Sequence, residues 1–262
     1  MGPPFFIFYR LVLHTVKKAL EVDKLGEETV YRLIHRYSPE KGIEEFWDVI
    51  INEQCFNVYI NDVFYKNICC TPSHLDELIT GHLLMEGQVS SSANIKKIEI
   101  DDTTINVSVI ARPSVQNYIK NIPDICCPAA KLSWLMQAHL NISALHKQTG
   151  GVHVMSLANQ EGLLVSREDI GRHNAVDKLY GYCSINGINC YDKIFLSSGR
   201  VSHEIIQKLV AMGIQLVVSR AAVTSLAQEI AQKSGITVLG FARGERFNIY
   251  THPQRIIAGS GR

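Results

Sequence analysis

The chain has 262 residues, of which 46% are hydrophobic and 19% charged, and its formal net charge is +1. That length suits one large domain or two modest ones, with an ordinary globular balance. No global field recruits nucleic acid or a membrane surface, so any anion site must be a local cluster of basic groups.

The apolar start, Pro3 to Val16, is interrupted by Arg10 and His14 and is too short to span a bilayer. It lacks a basic leader and a small-residue cleavage site, so a packed terminal element is expected. Residues 1–50 are only weakly patterned. Phe56, Val58 and Ile60 alternate with polar neighbours, as a half-buried strand does. Thr71-Pro72 then predicts a helix start. Leu75, Leu78, Ile79 and Leu83 give that helix an apolar stripe, and Gly87 ends it. Ile98 and Ile100, then Ile105, Val107 and Val109, flank Asp101-Asp102 as the arms of a hairpin. Ile122 to Pro128 is a breaker-rich loop carrying Cys126 and Cys127. A helical stretch follows from about Ser133 to Gly150-Gly151.

The second half changes rhythm. Strands are expected at Val152–Leu157, Leu163–Val165, Ile194–Leu196, Gln215–Val218 and Ile236–Phe241. Helices are expected at Asn174–Tyr182, Ser202–Met212 and Ser225–Lys233. Alternation with short links predicts α/β units with a largely parallel sheet. The chain therefore divides into an N-terminal α+β part (1–125), a cysteine loop and linking helix (126–150), and an α/β binding domain (151–262).

Each of four strands in this half is followed by an arginine-bearing loop: Arg167 to Asn174 with Arg172 and His173, Ser197 to Ser202 with Gly199 and Arg200, Ser219 to Ser225 with Arg220, and Gly240 to Arg246 with Arg243 and Arg246. Ligands of open α/β sheets bind outside the carboxyl ends of the strands. Helix N-termini supply free N–H donors, and arginine forks match phosphate oxygens. One such arginine is an ordinary solvated charge; four in succession point to a phosphate or polyphosphate site, with Phe241 available to stack on a base.

Seven cysteines are present, Cys55, Cys69, Cys70, Cys126, Cys127, Cys183 and Cys190. The odd count and the absence of C-x-x-C pairs favour free thiols in a reducing cytosol. Cys69, Cys70, Cys183 and Cys190 read as small buried hydrophobes. Cys126 and Cys127, in a loop between the halves, are the candidates for an accessible thiolate that accepts and delivers sulfur. A nearby arginine such as Arg172 would lower its pKa if the loop folds over the crevice.

At these residues the chain resembles the formate dehydrogenase accessory sulfurtransferases (FdhD type). The strongest block is Glu168-Asp169-Ile170-Gly171-Arg172-His173-Asn174-Ala175-Val176-Asp177-Lys178. Ser198-Gly199-Arg200-Val201-Ser202, Thr224-Ser225-Leu226-Ala227, Gly240 to Arg246 and Tyr250-Thr251-His252-Pro253 follow in order. Thr71-Pro72, Glu77-Leu78, Gly81, Glu86-Gly87 and Thr149 to His153 precede or link them.

The resemblance runs from about residue 52 to 256. It implies a cytidine deaminase-like α/β fold and a homodimer. It implies a cytoplasmic sulfurtransferase that takes persulfide sulfur from a cysteine desulfurase. The acceptor is the bis-guanine-dinucleotide molybdenum cofactor used by formate dehydrogenase, for which GDP is an analogue. The implied nucleotide site is Phe241, Ala242, Arg243, Gly244, Glu245 and Arg246, joined by Arg172, His173, Gly199 and Arg200 from the strand-end loops.

The family's central loop carries two cysteines separated by two residues, with glycines. Here Asp124-Ile125-Cys126-Cys127-Pro128-Ala129-Ala130 has adjacent cysteines and no glycine. Aligning on Lys131 puts Cys126 at the persulfide position; a one-residue gap would choose Cys127. That altered loop leaves open a second reading, a chaperone that binds and delivers the nucleotide-bearing cofactor without sulfur chemistry. A zinc nucleobase deaminase is disfavoured by the lack of H-x-E and P-C-x-x-C elements; His203-Glu204 is not that spacing.

Overall fold

The computed structural model describes residues 27–110 and 125–258. The expected terminal element at Pro3–Val16 and the start of the Ile122–Pro128 loop lie outside the described residues. The chain opens with a hairpin where the sequence is only weakly patterned: β1 (Thr29–Ser38) pairs antiparallel with β2 (Gly42–Ile51). A four-stranded sheet follows, ordered β4-β3-β6-β5, from β3 (Gln54–Ile60), β4 (Val63–Cys70), β5 (Ile95–Asp101) and β6 (Thr104–Val109). The predicted hairpin around Asp101-Asp102 is present, with Asp102 in the left-handed region at φ 47°.

Helix α1 (Leu75–Met85) covers this sheet, burying Leu78, Ile79 and Leu83 against Phe56, Val58, Ile105 and Val107. The helix starts later than Thr71-Pro72. Thr71 is committed elsewhere, its N–H donating to Asp169 and its carbonyl accepting from Lys178, so the chain enters α1 through His74 at φ 51°. Gly87, at φ 65°, ends the helix as expected.

The second half forms a six-stranded sheet ordered β13-β12-β11-β10-β8-β9. Its strands are β8 (His153–Ala158), β9 (Leu163–Asp169), β10 (Ile194–Ser197), β11 (Leu216–Ser219), β12 (Thr237–Arg243) and β13 (Arg246–Ile249). The expectation of a largely parallel sheet is corrected here. Only β10, β11 and β12 run parallel; β8, β9 and β13 are antiparallel to their neighbours. Turns of few residues at Asn159–Gly162 and at Gly244 allow hairpins, whereas parallel pairing needs a crossover.

Helix α2 (Ala129–Ile142), followed by α3 (Ala144–Thr149), takes one face of the sheet. The break between them falls at Ser143, whose hydroxyl caps α3 by accepting from His146 N at 2.7 Å. One unbroken helix from Ser133 is thus replaced by two, starting four residues earlier. Helices α4 (Arg172–Ile185), α5 (His203–Met212) and α6 (Ser225–Ser234) cover the other face. Ile194, Leu196, Leu216, Val218 and Leu239 pack towards Leu132, Leu135 and Met136 of α2. Phe195, Val217 and Val238 pack towards α4, α5 and α6. Burial on both faces explains the near-continuous apolar runs of these strands.

The two sheets are joined by the crossing of α1 with α4. A Cβ on Gly81 would lie 1.8 Å from the Asp177 carbonyl oxygen, and one on Gly181 would lie 1.8 Å from that of Glu77. Glycine at both positions lets the backbones touch. The Arg167 guanidinium forms a bidentate pair with Glu77 across the same contact.

An arginine-lined sheet edge and an exposed thiol

Strand directions decide which loops meet. Ser197 at the end of β10 pairs with Met155 near the start of β8, and His153 pairs with Asp169 at the end of β9. Since β10, β11 and β12 are parallel, the four arginine-bearing segments leave one edge of the sheet.

The serines in these segments build the turns. Ser197 and Ser219 both donate to the Gly199 carbonyl, at 2.9 and 2.8 Å, and Ser198 Oγ accepts from Val154 N at 2.9 Å. Val201 N donates to Ala222 O, Thr224 N to Val201 O, and Phe241 N to Ala221 O. These bonds stitch the loops after β10 and β11 to β12. The hydroxyls of Ser197, Ser198 and Ser219 are spent internally, which leaves the arginines and Ser202 to meet a ligand.

Arg172 is the first residue of α4 and Gly199 lies beside it. A Cβ on Gly199 would stand 3.0 Å from His153 Nδ1 and 3.7 Å from Arg172 Cβ. His153 is held below the usual histidine pKa by burial, then by the charges of Arg172, His146 and Arg200. Both guanidinium groups therefore act on one imidazole. Two buried polar atoms at this edge lack a partner, Arg172 Nε and Ser202 Oγ. Orphaned donors beside the N-termini of α4 and α5 suit an anion. His173 lies on the flank, 3.2 Å from Glu204 Oε2, with its pKa lowered by burial and by Arg172.

Arg172, His173, Gly199 and Arg200 are thus brought together. His153 and His146 complete the basic cluster and were missed as site residues. His153 stands within the Thr149–His153 block, but only the pairing of β8 with β10 reveals its neighbours.

The segment Phe241 to Arg246 is not a loop after a strand. It is the far end of β12, a turn with Gly244 at φ 58°, and the start of β13. A register shift between Gly240 and Arg243 accompanies Phe241 at φ 52°. Phe241, Arg243, Glu245 and Arg246 are exposed, so Phe241 presents a free aromatic face. Ala242 is buried in the α2-side core and offers a ligand only its backbone.

The cysteines depart from expectation in three ways. Cys55 and Cys69, cross-strand neighbours on β3 and β4, are joined by a disulfide instead of being free. Direct opposition across an antiparallel ladder brings their side chains within reach. Next, the adjacent central cysteines are not equivalent. Cys126 is exposed, whereas Cys127 is fully buried in the short strand β7 (Cys127–Pro128), which pairs with β14 (Ile256–Ile257). Burial pushes the Cys127 thiol pKa up.

Finally, Cys126 does not lie over the arginines. Its carbonyl accepts from Gln160 in the β8–β9 turn, and Arg255, beside β14, donates to the Gln215 and Gly235 carbonyls at the starts of β11 and β12. The thiol therefore stands at the amino-end edge of the sheet, opposite the arginines. The loop does not fold over the crevice, and Arg172 is not its neighbour.

Much of the Glu168–Lys178 block is a clamp. Lys178 and Asp169 are fully buried and paired at 2.8 Å. Lys178 also donates to the carbonyls of Thr71 and Glu168. Asp169 accepts from Thr71 N, Gly171 N and Asn174 Nδ2, and Asn174 Nδ2 reaches the Cys69 carbonyl at 2.9 Å. Asp177 binds His82 and Lys208. These residues fix the start of α4, and so Arg172, against the N-terminal part.

Fold and site together define an α/β protein with a basic, anion-suited sheet edge and a single exposed free thiol among the described residues. The chain matches the model of the FdhD/NarQ family over residues 51–127 and 113–257, and it belongs to that family. Two curated relatives named sulfur carrier protein FdhD, from Geobacillus kaustophilus and Bacillus subtilis, are each 36% identical to it. Each alignment covers 87% of this chain and 97% of the relative. The crystal structure of a proposed formate dehydrogenase accessory protein from Desulfotalea psychrophila superposes with a TM-score of 0.76 at 28% identity. It covers 87% of this chain and 99% of that one. No helix of the described residues is long and apolar enough to cross a membrane.

Proposed function

We propose that this chain is a sulfurtransferase acting in formate dehydrogenase maturation. Cys126 thiolate attacks the terminal sulfur of a cysteine desulfurase persulfide, and the desulfurase leaves as a thiolate. The outer sulfur of the Cys126 persulfide then passes to a reduced molybdenum cofactor bearing guanine dinucleotides, which gives that sulfur an electron pair as the S–S bond breaks and Cys126 leaves as a thiolate. The arginine edge holds the nucleotide, with phosphates near Arg172, Gly199 and Arg200 and the base against Phe241. The observation that carries this reading is the exposure of Cys126 in a family whose relatives are named sulfur carriers.

The protein acts as a homodimer on this reading. Leu33 opposite Trp47 and Tyr37 opposite Ile43 share one face of the β1–β2 hairpin, and all four are exposed. Such a face suits burial against a second copy, which sedimentation would detect.

The chaperone reading keeps one observation in its favour. Burial of Cys127 leaves the central segment without a second accessible thiol. Intact-mass analysis after incubation with a cysteine desulfurase and L-cysteine separates the two. One added sulfur, removed by reductant and lost in Cys126→Ser, supports transfer. No adduct on the wild type, with GDP binding intact, establishes the chaperone.

A further inference from the structure

Cys183 and Cys190 lie outside everything assigned above. Cys183 is in the last turn of α4, and Cys190 lies within the link, residues 186–193, that leads to β10. Both are nearly inaccessible, at 1% and 4% exposure. Ile188 N donates to the Cys183 carbonyl at 2.8 Å, and the Cys190 thiol donates to the Ile188 carbonyl at 3.9 Å, which folds Cys190 back over the end of α4 beside Cys183. Both also line a cavity of about 470 Å³, together with Tyr180, Tyr191, Met212 and Ile214. The cavity reaches Gln215 and Ile236 at the amino ends of β11 and β12, away from the arginine edge.

We propose that Cys183 and Cys190 form a second thiol site, a buried dithiol that small hydroperoxides oxidise reversibly to an intramolecular disulfide. The geometry supplies both required parts, an attacking thiol and a resolving thiol on the wall of one cavity. Cys190 is carried on the irregular link and Cys183 in the helix, so Cys190 is the thiol able to turn towards an oxidant and acts as the nucleophile; the neighbouring Cys183 thiol lowers its pKa.

Its thiolate attacks one peroxide oxygen and the O–O bond breaks. Cys190 becomes a sulfenic acid, and the leaving oxygen takes a proton as water or alcohol. Cys183 sulfur then attacks the sulfenic sulfur. The S–S bond forms, the S–O bond breaks, and water leaves with the Cys183 proton. Two thiols lose two electrons, and the hydroperoxide gains them. Closing the bond requires the sulfurs to approach to about 2.0 Å. Cys190 lies in the irregular segment around Gly187, which sits at φ 64°, so the nucleophile is not fixed in a helix or strand. Because both sulfurs are buried, entry is confined to small oxidants; oxidised glutathione is too large.

The test uses the full chain treated with hydrogen peroxide, quenched with N-ethylmaleimide in denaturant and mapped without reduction. A Cys183–Cys190 linked peptide is expected, lost on adding dithiothreitol and absent in Cys190→Ser. Cys183→Ala is expected to stop at a sulfenic acid on Cys190, captured by dimedone once unfolded. The wild-type map stands even where a variant folds poorly. Free Cys183 and Cys190 at a dose that oxidises Cys126 would overturn the proposal. So would equal yields of the linked peptide with oxidised glutathione, since entry would then not be limited by size. None of these readouts depends on sulfur transfer or nucleotide binding.

Discussion

Replacing Lys178 by methionine tests whether the Glu168–Lys178 block is a clamp. Lys178 spends its ammonium on Asp169 at 2.8 Å and on two carbonyls at 3.0 and 3.2 Å, all without solvent. Removing one partner of a buried pair costs about 3–5 kcal/mol. Asp169 keeps three N–H donors in the variant, from Thr71, Gly171 and Asn174. The charge term therefore falls near 3 kcal/mol, and the two abandoned carbonyls add roughly 1 kcal/mol. A loss of about 4 kcal/mol, at an m-value near 3 kcal/mol/M, lowers the urea midpoint by a little over 1 M. Urea unfolding followed by circular dichroism reads this directly. Adding Asp169→Asn removes the stranded charge, so the double variant should be less destabilised than the sum of the singles by more than about 1 kcal/mol. A single-variant loss below about 1 kcal/mol is what an exposed pair gives, and it would refute the clamp.

His139 is buried, and its pKa is lowered to about 4 by loss of solvation. The unfolded chain binds the proton more readily, so the stability that neutral His139 provides is whole above pH 6.5. It is lost as pH falls towards 4, by about 3 kcal/mol in all; His139→Leu should flatten that limb in urea titrations at successive pH values. Gly81→Ala drives a Cβ into the Asp177 carbonyl and should cost about 3 kcal/mol or more, read as a melting temperature lowered by at least about 6 °C. Arg172→Ala should weaken GDP about tenfold by calorimetry, the value of one charge-assisted hydrogen bond. Bound phosphate favours protonated His153, so GDP affinity should rise as pH falls, and His153→Gln should abolish that slope. In the native protein a bulky aromatic disulfide reagent should find one fast thiol, Cys126. Cys70, whose pKa burial pushes up to about 12, should react only on unfolding.

Legibility in the sequence followed the range of the interactions. Strand and helix positions in the second half were readable because their apolar runs and arginine-bearing links are local signals. The direction of the strands was not: β8, β9 and β13 are antiparallel through turns that look like any short connection. The gathering of Arg172, Gly199 and Arg200 was legible because strand-end loops converge by topology. The use of Asp169, Asn174 and Lys178 as an internal clamp was not, since their partners at Cys69 and Thr71 lie about a hundred residues away. The Cys55–Cys69 bond escaped although its partners are only 14 residues apart, because cross-strand opposition is set by the register of β3 on β4. Adjacent cysteines left the choice between Cys126 and Cys127 open. The pairing of β7 with β14, more than a hundred residues on, buries only the second of them.

The opposite placement of thiol and arginines constrains how sulfur transfer can work. β10 has four residues, and they span roughly 13 Å. Cys126 stands near the amino ends of these central strands, and Arg172 and Arg200 near their carboxyl ends. A persulfide extends a cysteine side chain by one S–S bond, about 2 Å, far less than that separation. A compact ligand seated on the arginines cannot touch Cys126 of the same chain. Transfer therefore demands a cargo long enough to be held by its nucleotide at one edge while its sulfur-accepting end approaches a thiol at another, in the same chain or a second copy. A cofactor extended by dinucleotide arms meets that demand; a simple nucleotide does not. On the proposed function the arginine edge is the anchor, and the chemistry falls to the edge of Cys126, where Gln160, Lys131 and the α2 N-terminus stand.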